Sequence, residues 1–296
     1  MSTPYPIHRE LVIEHSAQMP SFPKVVTDII RTVDDPDGSI NVLVECINHD
    51  PLIAGRVLAA ANLASARMRR DREVTDSRTA TALIGMSRVR DIALISSLGG
   101  FVKTLSRDQA YTKLWNHGVA VGITAQELAL HVDADISTDA ALIAGLLHDI
   151  GQLWLYTYLP EVYADCRERA RVEVLEIEDL EVEMFGVSHS TIGSWLAEEW
   201  GLPTEICLSI AMHHHPETAL DHPLVCLLHV AEVLSNALDL TQSPDSRVTR
   251  ISGLACQRLG ITWDKPMRHI FGRIEARSMH ANRFFQAEAT TSSPAR

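Results

Sequence analysis

The sequence predicts an all-α protein: a multi-helix bundle with an N-terminal helical subdomain packed on a second helical subdomain. Three observations carry this. Apolar residues recur at helical spacing along most of the chain, and no period-2 run with a hairpin turn occurs. Aromatic residues are only 5% of the composition while Ala and Leu abound, a balance that favours helix over strand. At 296 residues, 46% hydrophobic and 22% charged, the chain can bury a substantial core as one large domain or two modest ones.

The elements follow in order. Residues 1–17 read as an N-terminal extension, and "PSFPKVVTDIIRTVDDPDG" predicts a helix over about 23–33 closed by its turn residues. In "HDPLIAGRVLAAANLASA", Asp50 suits an N-cap, Pro51 the first helical position, and Ile53, Val57, Ala60, Ala61 and Ala64 recur at helical spacing. A helix over about 76–84 meets Gly85, after which "SRVRDIALISSLGGFV" restarts the pattern. Around "LSRDQA" (105–110) the chain changes character, so residues 18–105 form one helical part and 106–239 a second. Only in the second do His, Asp and Glu enter apolar helices. Residues 240–285 read as a helical extension without a motif, and 286–296 as a disordered tail low in large apolar groups.

Composition excludes some functions. The formal charge is −12, from 26 basic and 38 acidic residues, and such a field repels phosphate backbones, so no direct nucleic-acid binding is expected. The basic concentration "RMRRDREV", with Arg67, Arg69, Arg70 and Arg72, reads first as a solvated loop and second as a phosphate or partner contact. Five scattered cysteines without a C-x-x-C pair suit free thiols in a reducing compartment. No apolar signal core or spanning stretch occurs, so a cytoplasmic protein away from membranes is expected.

The chemistry concentrates around "GLLHDIGQLW". An unpaired carboxylate in an apolar interior costs several kcal/mol, so His148 and Asp149 require a partner: a metal, another side chain or backbone. The surrounding helix is expected to start at a Ser137 or Thr138 cap and to end at Gly151 in the left-handed conformation, with His148 and Asp149 in its last turn. Further candidates sit in apolar helices: His117 in "LWNHGVAVGITAQELAL", His189 after a possible Ser188 cap, His213 and His214 closing "TEICLSIAMHHHP", and Glu232 in "PLVCLLHVAEVLSNAL". Imidazoles and carboxylates are the ligand set for Zn, Fe or Mn, and helices of a bundle can present them inward. A metal-free knot, with Asp149 accepting from His117 and one of the paired histidines, would satisfy the same groups. The remaining histidines read as peripheral, although His229 shares a helix face with Glu232.

In order, His117, His148-Asp149, His189-Ser-Thr-Ile-Gly193, His213-His214 and Glu232 resemble the HD superfamily of metal-dependent phosphohydrolases. The flanking segments "MPSFPKVVTDII", "INHDPLIAGRVLAAANLAS", "ALIGMSRVRDIAL" and "EMFGVSHSTIGSWLAEEWGLP" resemble one branch of it, the HDOD domain, over about 18–239. The resemblance implies up to two divalent metals bridged by Asp149, with Glu232 closing the first site. It also implies a signalling module acting on a kinase, a cyclic-dinucleotide enzyme or a transcriptional regulator. The alternative it carries is a phosphohydrolase acting on a nucleotide or cyclic dinucleotide. Three departures bear on that alternative: Gln152 stands where cyclic-dinucleotide phosphodiesterases of the superfamily carry Lys, their Gly-Tyr-Pro signature is replaced by "HHHPETAL", and Glu232 stands in place of Asp. The reading is therefore of a retained site with weak or no catalytic activity.

Overall fold

The structure is a computed structural model describing residues 5–17, 22–33, 40–68, 73–105, 109–241, 250–263 and 265–291. It is all-helical: among these residues are sixteen α-helices and a short 3-10 turn, with no strand. They fall into two compact units, residues 20–104 and residues 1–19 with 105–296.

The smaller unit holds α2 (Lys24–Val33), α3 (Ile40–Asn48), α4 (Pro51–Arg67), α5 (Ser77–Ile84) and α6 (Met86–Leu105). Its helix ends follow local chemistry. The Asp50 carboxylate accepts from the backbone N–H of Leu52 and Ile53 at the start of α4, satisfying two donors that the helix cannot. Asp76 does the same for Thr79 at the start of α5, and Gly85 ends that helix at φ 87°, a region that side chains disfavour. Asn62, on α4, accepts from the Val74 N–H and donates to the Val74 carbonyl, fastening the chain that returns towards α5.

The larger unit begins with α1 (Arg9–Ser16), which packs on α12 (His189–Glu199) and pairs Arg9 with Glu198 at 2.8 Å. Its centre is α7 (Gln109–Ala129), α8 (Thr138–Leu147) and α14 (Pro223–Ala237), all packed against one another. A Cβ built on Gly145 of α8 would strike the backbone of Gly122 on α7, so these helices touch main chain to main chain. Around them lie α9 (Ile150–Tyr158), α10 (Pro160–Glu173), α11 (Ile177–Phe185) and α13 (Thr204–Met212).

The C-terminal segment adds α15 (Gly253–Arg258) and α16 (Lys265–Thr291). The second packs on α7, where Arg273 and Arg277 pair with the buried Glu127. Residues 286–291, expected as disordered tail, continue α16. They are Gln, Ala, Glu, Ala and two Thr, with no Gly or Pro to stop a helix already under way.

Candidate metal centre

Six helices bring the chemically distinctive residues together. His117 comes from α7, His148 and Asp149 from the junction of α8 and α9, His189 from the first position of α12, His213 and His214 from the end of α13, and Glu232 from α14. Three overlapping sets have ligand atoms within 4.8 Å of one another: His189, His213 and His214; His117, His148 and Glu232; His148, Asp149 and His213. All seven residues proposed as ligands thus enter one cluster.

The junction differs from the expected single helix. Helix α8 stops at Leu147, His148 keeps helical angles, and Asp149 leaves them at φ −99° and ψ 14° before α9 starts at Ile150. The break lets both adjacent side chains face the cluster, which an unbroken helix would place about 100° apart. Gly151 is therefore not a left-handed terminator but lies in the first turn of α9. A Cβ there would collide with the His189 carbonyl oxygen, so its bare backbone allows α9 to sit on the start of α12.

His148 and His213 use the same local device. Each follows the last residue of its helix, where carbonyls lack helical partners, and each donates from Nδ1 to the carbonyl three residues back. The distances are 2.8 Å to Gly145 and 2.7 Å to Ile210. A carbonyl only accepts, so the proton sits on Nδ1 and the Nε2 lone pair turns inward. Both Nε2 atoms are buried without a hydrogen-bond partner. His189 is held likewise, with Nδ1 donating to Glu181 Oε2 at 2.7 Å. Its Nε2 lies 3.3 Å from Asp149 Oδ1 and 3.2 Å from His214 Nε2. Asp149 Oδ2 is 3.4 Å from His148 Nε2, while Glu232 Oε2 stands 3.9 Å from His213 Nε2 and 3.8 Å from His214 Nδ1.

Charge is distributed unevenly. Burial would raise the Asp149 carboxyl, but the imidazoles of His148 and His189 outweigh it and hold it well below its usual range. Burial opposes charge on His189 too, yet Glu181 and Asp149 prevail and raise it well above an ordinary histidine. Burial and neighbouring imidazoles push His117 down to about 4, His214 down to about 3, and His213 well down. Burial, then the Asp149 charge, lifts Glu232 to about 8. The rings of His117, His213 and His214, held neutral beside the Asp149 anion, with His148, His189 and His213 oriented by outer partners, suit a divalent cation.

Several contributors escape sequence reading. Glu181 is fully buried, accepting from the N–H and Nδ1 of His189 and from the Tyr163 hydroxyl, and nothing in the spacing of "IEDLEVEMF" singles it out from its acidic neighbours. His229, read as peripheral, is buried; its Nδ1 donates to the His213 carbonyl at 2.8 Å and its Nε2 accepts from the Ser252 N–H at 3.0 Å. Its place on the Glu232 face was the available signal. Gln152 is buried, donating to Asp149 Oδ1 at 2.8 Å and accepting from Arg167 at 2.9 Å. Arg67 lies exposed at the end of α4 in the smaller unit, and Arg69, Arg70 and Arg72 lie outside the described residues.

Among the described residues, no helix is long and apolar enough to cross a membrane. The family model described as the HDOD domain matches residues 19–216. An uncharacterised protein of Treponema pallidum (strain Nichols) is 26% identical over 234 residues, covering 78% of this chain and 45% of that protein. The chain thus spans less than half the length of this curated relative. A solved structure from Marinobacter aquaeolei VT8, provisionally named a signal transduction protein, is 22% identical with a TM-score of 0.70, covering 92% of this chain and 60% of that one. Another, from Shewanella amazonensis SB2B and provisionally named a phosphohydrolase, is 24% identical with a TM-score of 0.61, covering 90% and 97%. At these identities the two structures share the fold.

Proposed function

The chain belongs to the HDOD domain family, and from that premise we propose that it is a cytoplasmic signal-transduction module with a retained divalent-metal centre, acting through protein partners rather than turnover. The carrying observation is a site that is complete in ligands but nearly closed. His148, His189 and His213 are fully buried, and the side chains of Asp149, Glu232 and His214 are only 10%, 11% and 22% exposed. An ion fits such a site; a nucleotide would find little exposed ligand surface to meet.

Asp149, His148, His189, His213 and His214 would hold Fe, Mn or Zn, with His117 and Glu232 on the remaining side. The orphaned Nε2 atoms of His148 and His213 support that fit. A bound ion would serve as a Lewis acid towards phosphate oxygens and would neutralise buried carboxylate charge. The partner classes are a kinase, a cyclic-dinucleotide enzyme or a transcriptional regulator.

The completeness of the ligand set favours metal-dependent phosphohydrolysis of a nucleotide or cyclic dinucleotide as the second reading. Elemental analysis of the untagged protein, beside a phosphodiesterase screen with Mn and Fe, separates the two. Stoichiometric metal without phosphate release is the expected result. Phosphate release abolished by both His148→Ala and Asp149→Ala would overturn the regulatory reading, and protein that cannot be loaded would overturn the metal centre.

A further inference from the structure

Helix α10 supplies none of the candidate ligands, yet two of its side chains, four residues apart and so neighbours on one face, reach the cluster by separate routes. Arg167 Nη1 donates to Gln152 Oε1 at 2.9 Å, and Gln152 Nε2 donates to Asp149 Oδ1 at 2.8 Å. The Tyr163 hydroxyl donates to Glu181 Oε1 at 2.8 Å, and Glu181 Oε2 accepts from His189 Nδ1 at 2.7 Å. The 3.3 Å approach of His189 Nε2 to Asp149 Oδ1 closes the two routes into a ring. We propose that Arg167 and Tyr163 are positioning residues for the metal centre, aiming the Asp149 carboxylate through Gln152 and the His189 imidazole through Glu181. This inference rests on the metal-binding reading above.

The chemistry of each link gives it a direction. A carboxamide is a donor at one end and an acceptor at the other, and it can turn over with little change of shape. A guanidinium only donates, so Arg167 fixes the Gln152 oxygen on its own side and leaves the NH2 end for Asp149. Without that cation the Gln152 oxygen loses its anchor, and the side chain can shift and let the Asp149 oxygens swing away from the imidazoles. Arg167 also lies over the Tyr156 ring, 5.8 Å from its centre, which limits its own travel.

Tyr163 acts on the other arm. It is fully buried, and burial together with the Glu181 carboxylate pushes its hydroxyl well above the ordinary range, so it stays a donor. Its bond, with the two from His189, shares the fully buried Glu181 carboxylate between the start of α12 and α10. Removing the hydroxyl leaves one oxygen of the buried Glu181 carboxylate without its donor, and a carboxylate that shifts takes the His189 imidazole bonded to it along. Both arms therefore act on where lone pairs point, and neither residue needs to touch the ion.

The test uses the full chain, with Mn(II) and Zn(II) dissociation constants measured by competition against a chromophoric chelator, beside melting of the metal-free protein. Loss of a group bonded directly to a metal ligand, as Gln152 is to Asp149 and Glu181 to His189, weakens binding about 10- to 100-fold. A loss above twofold, and no larger than that of the partner itself, is expected for Arg167→Met and for Tyr163→Phe, beyond what any fall in metal-free melting accounts for. Arg167→Met added to Gln152→Met should weaken binding no further than Gln152→Met alone, because both act through one bond. Should Arg167→Met fail to fold, Gln152→Met and Tyr163→Phe carry the same comparison. Dissociation constants within twofold of wild type, additive losses in the double variant, or losses matched by falling metal-free stability would each overturn the proposal. Wild-type protein that binds neither metal would instead overturn the metal centre itself, and this inference with it.

Discussion

Acidifying the metal-free protein should unfold it steeply between pH 6 and 4. His117, His213 and His214 are buried as neutral rings, with His117 held at about 4 and His214 at about 3, against 6.5 for a free histidine. A group whose folded pKa is depressed supports stability above its unfolded pKa, and that support is lost as pH falls towards the folded value. At pH 5 the unfolded chain carries a proton on each of the three rings and the folded chain on none. Each contributes a slope of about 1.4 kcal/mol per pH unit, so three give about 4; Glu232, held at about 8 and so protonated when folded but mostly ionised when unfolded, offsets about 1, leaving about 3 kcal/mol per unit. His189 does not offset this, because its raised pKa leaves it protonated in both states below pH 6. Over two pH units this removes about 6 kcal/mol, enough to unfold a chain near the lower end of the typical stability of about 5–15 kcal/mol. The assay is urea denaturation followed by circular dichroism at half-unit steps from pH 7 to 4, with a chelator present. A slope below that of a single histidine across pH 6–5 would show that the rings are not buried neutral, and would refute the charge distribution assigned to the site.

Saturating Mn or Zn at about 100 times its dissociation constant should stabilise the protein by about 2.7 kcal/mol, seen as a rise in melting temperature that a chelator reverses; an unchanged midpoint counts against the site. Gly151→Ala should cost at least about 3 kcal/mol in urea, because its methyl meets the rigid His189 carbonyl, and a mild effect would refute the close approach of α9 and α12. His229→Phe should cost about 2–5 kcal/mol by stranding the buried His213 carbonyl and Ser252 N–H, and hydrogen exchange at α15 should rise. Asp50→Ala removes the cap of α4 and should cost about 1 kcal/mol, with Asp50→Ser recovering most of it.

The all-helical class was legible because it depends on local periodicity and on caps that act within four residues: Asp50, Asp76, Ser137 and Ser188 cap the helices that their spacing predicted. The candidate ligands were legible too, since His and Asp inside apolar helices violate a strong solvation preference wherever those helices end up. Three matters were settled only in three dimensions. The turn at His148-Asp149 follows from the fit of α9 against α12, and a glycine that serves close approach reads in sequence like one that ends a helix. Glu181 and Tyr163 lie 8 and 26 residues from His189 and look like ordinary residues of amphipathic surface helices; packing alone makes them buried partners. Gln152 reads by itself as the loss of a cation, and only the placement of α10 brings the Arg167 charge back to it. Residue type records what a side chain needs in order to be buried, and local sequence records where helices begin; which side chains meet that need depends on helix crossings that no local pattern encodes.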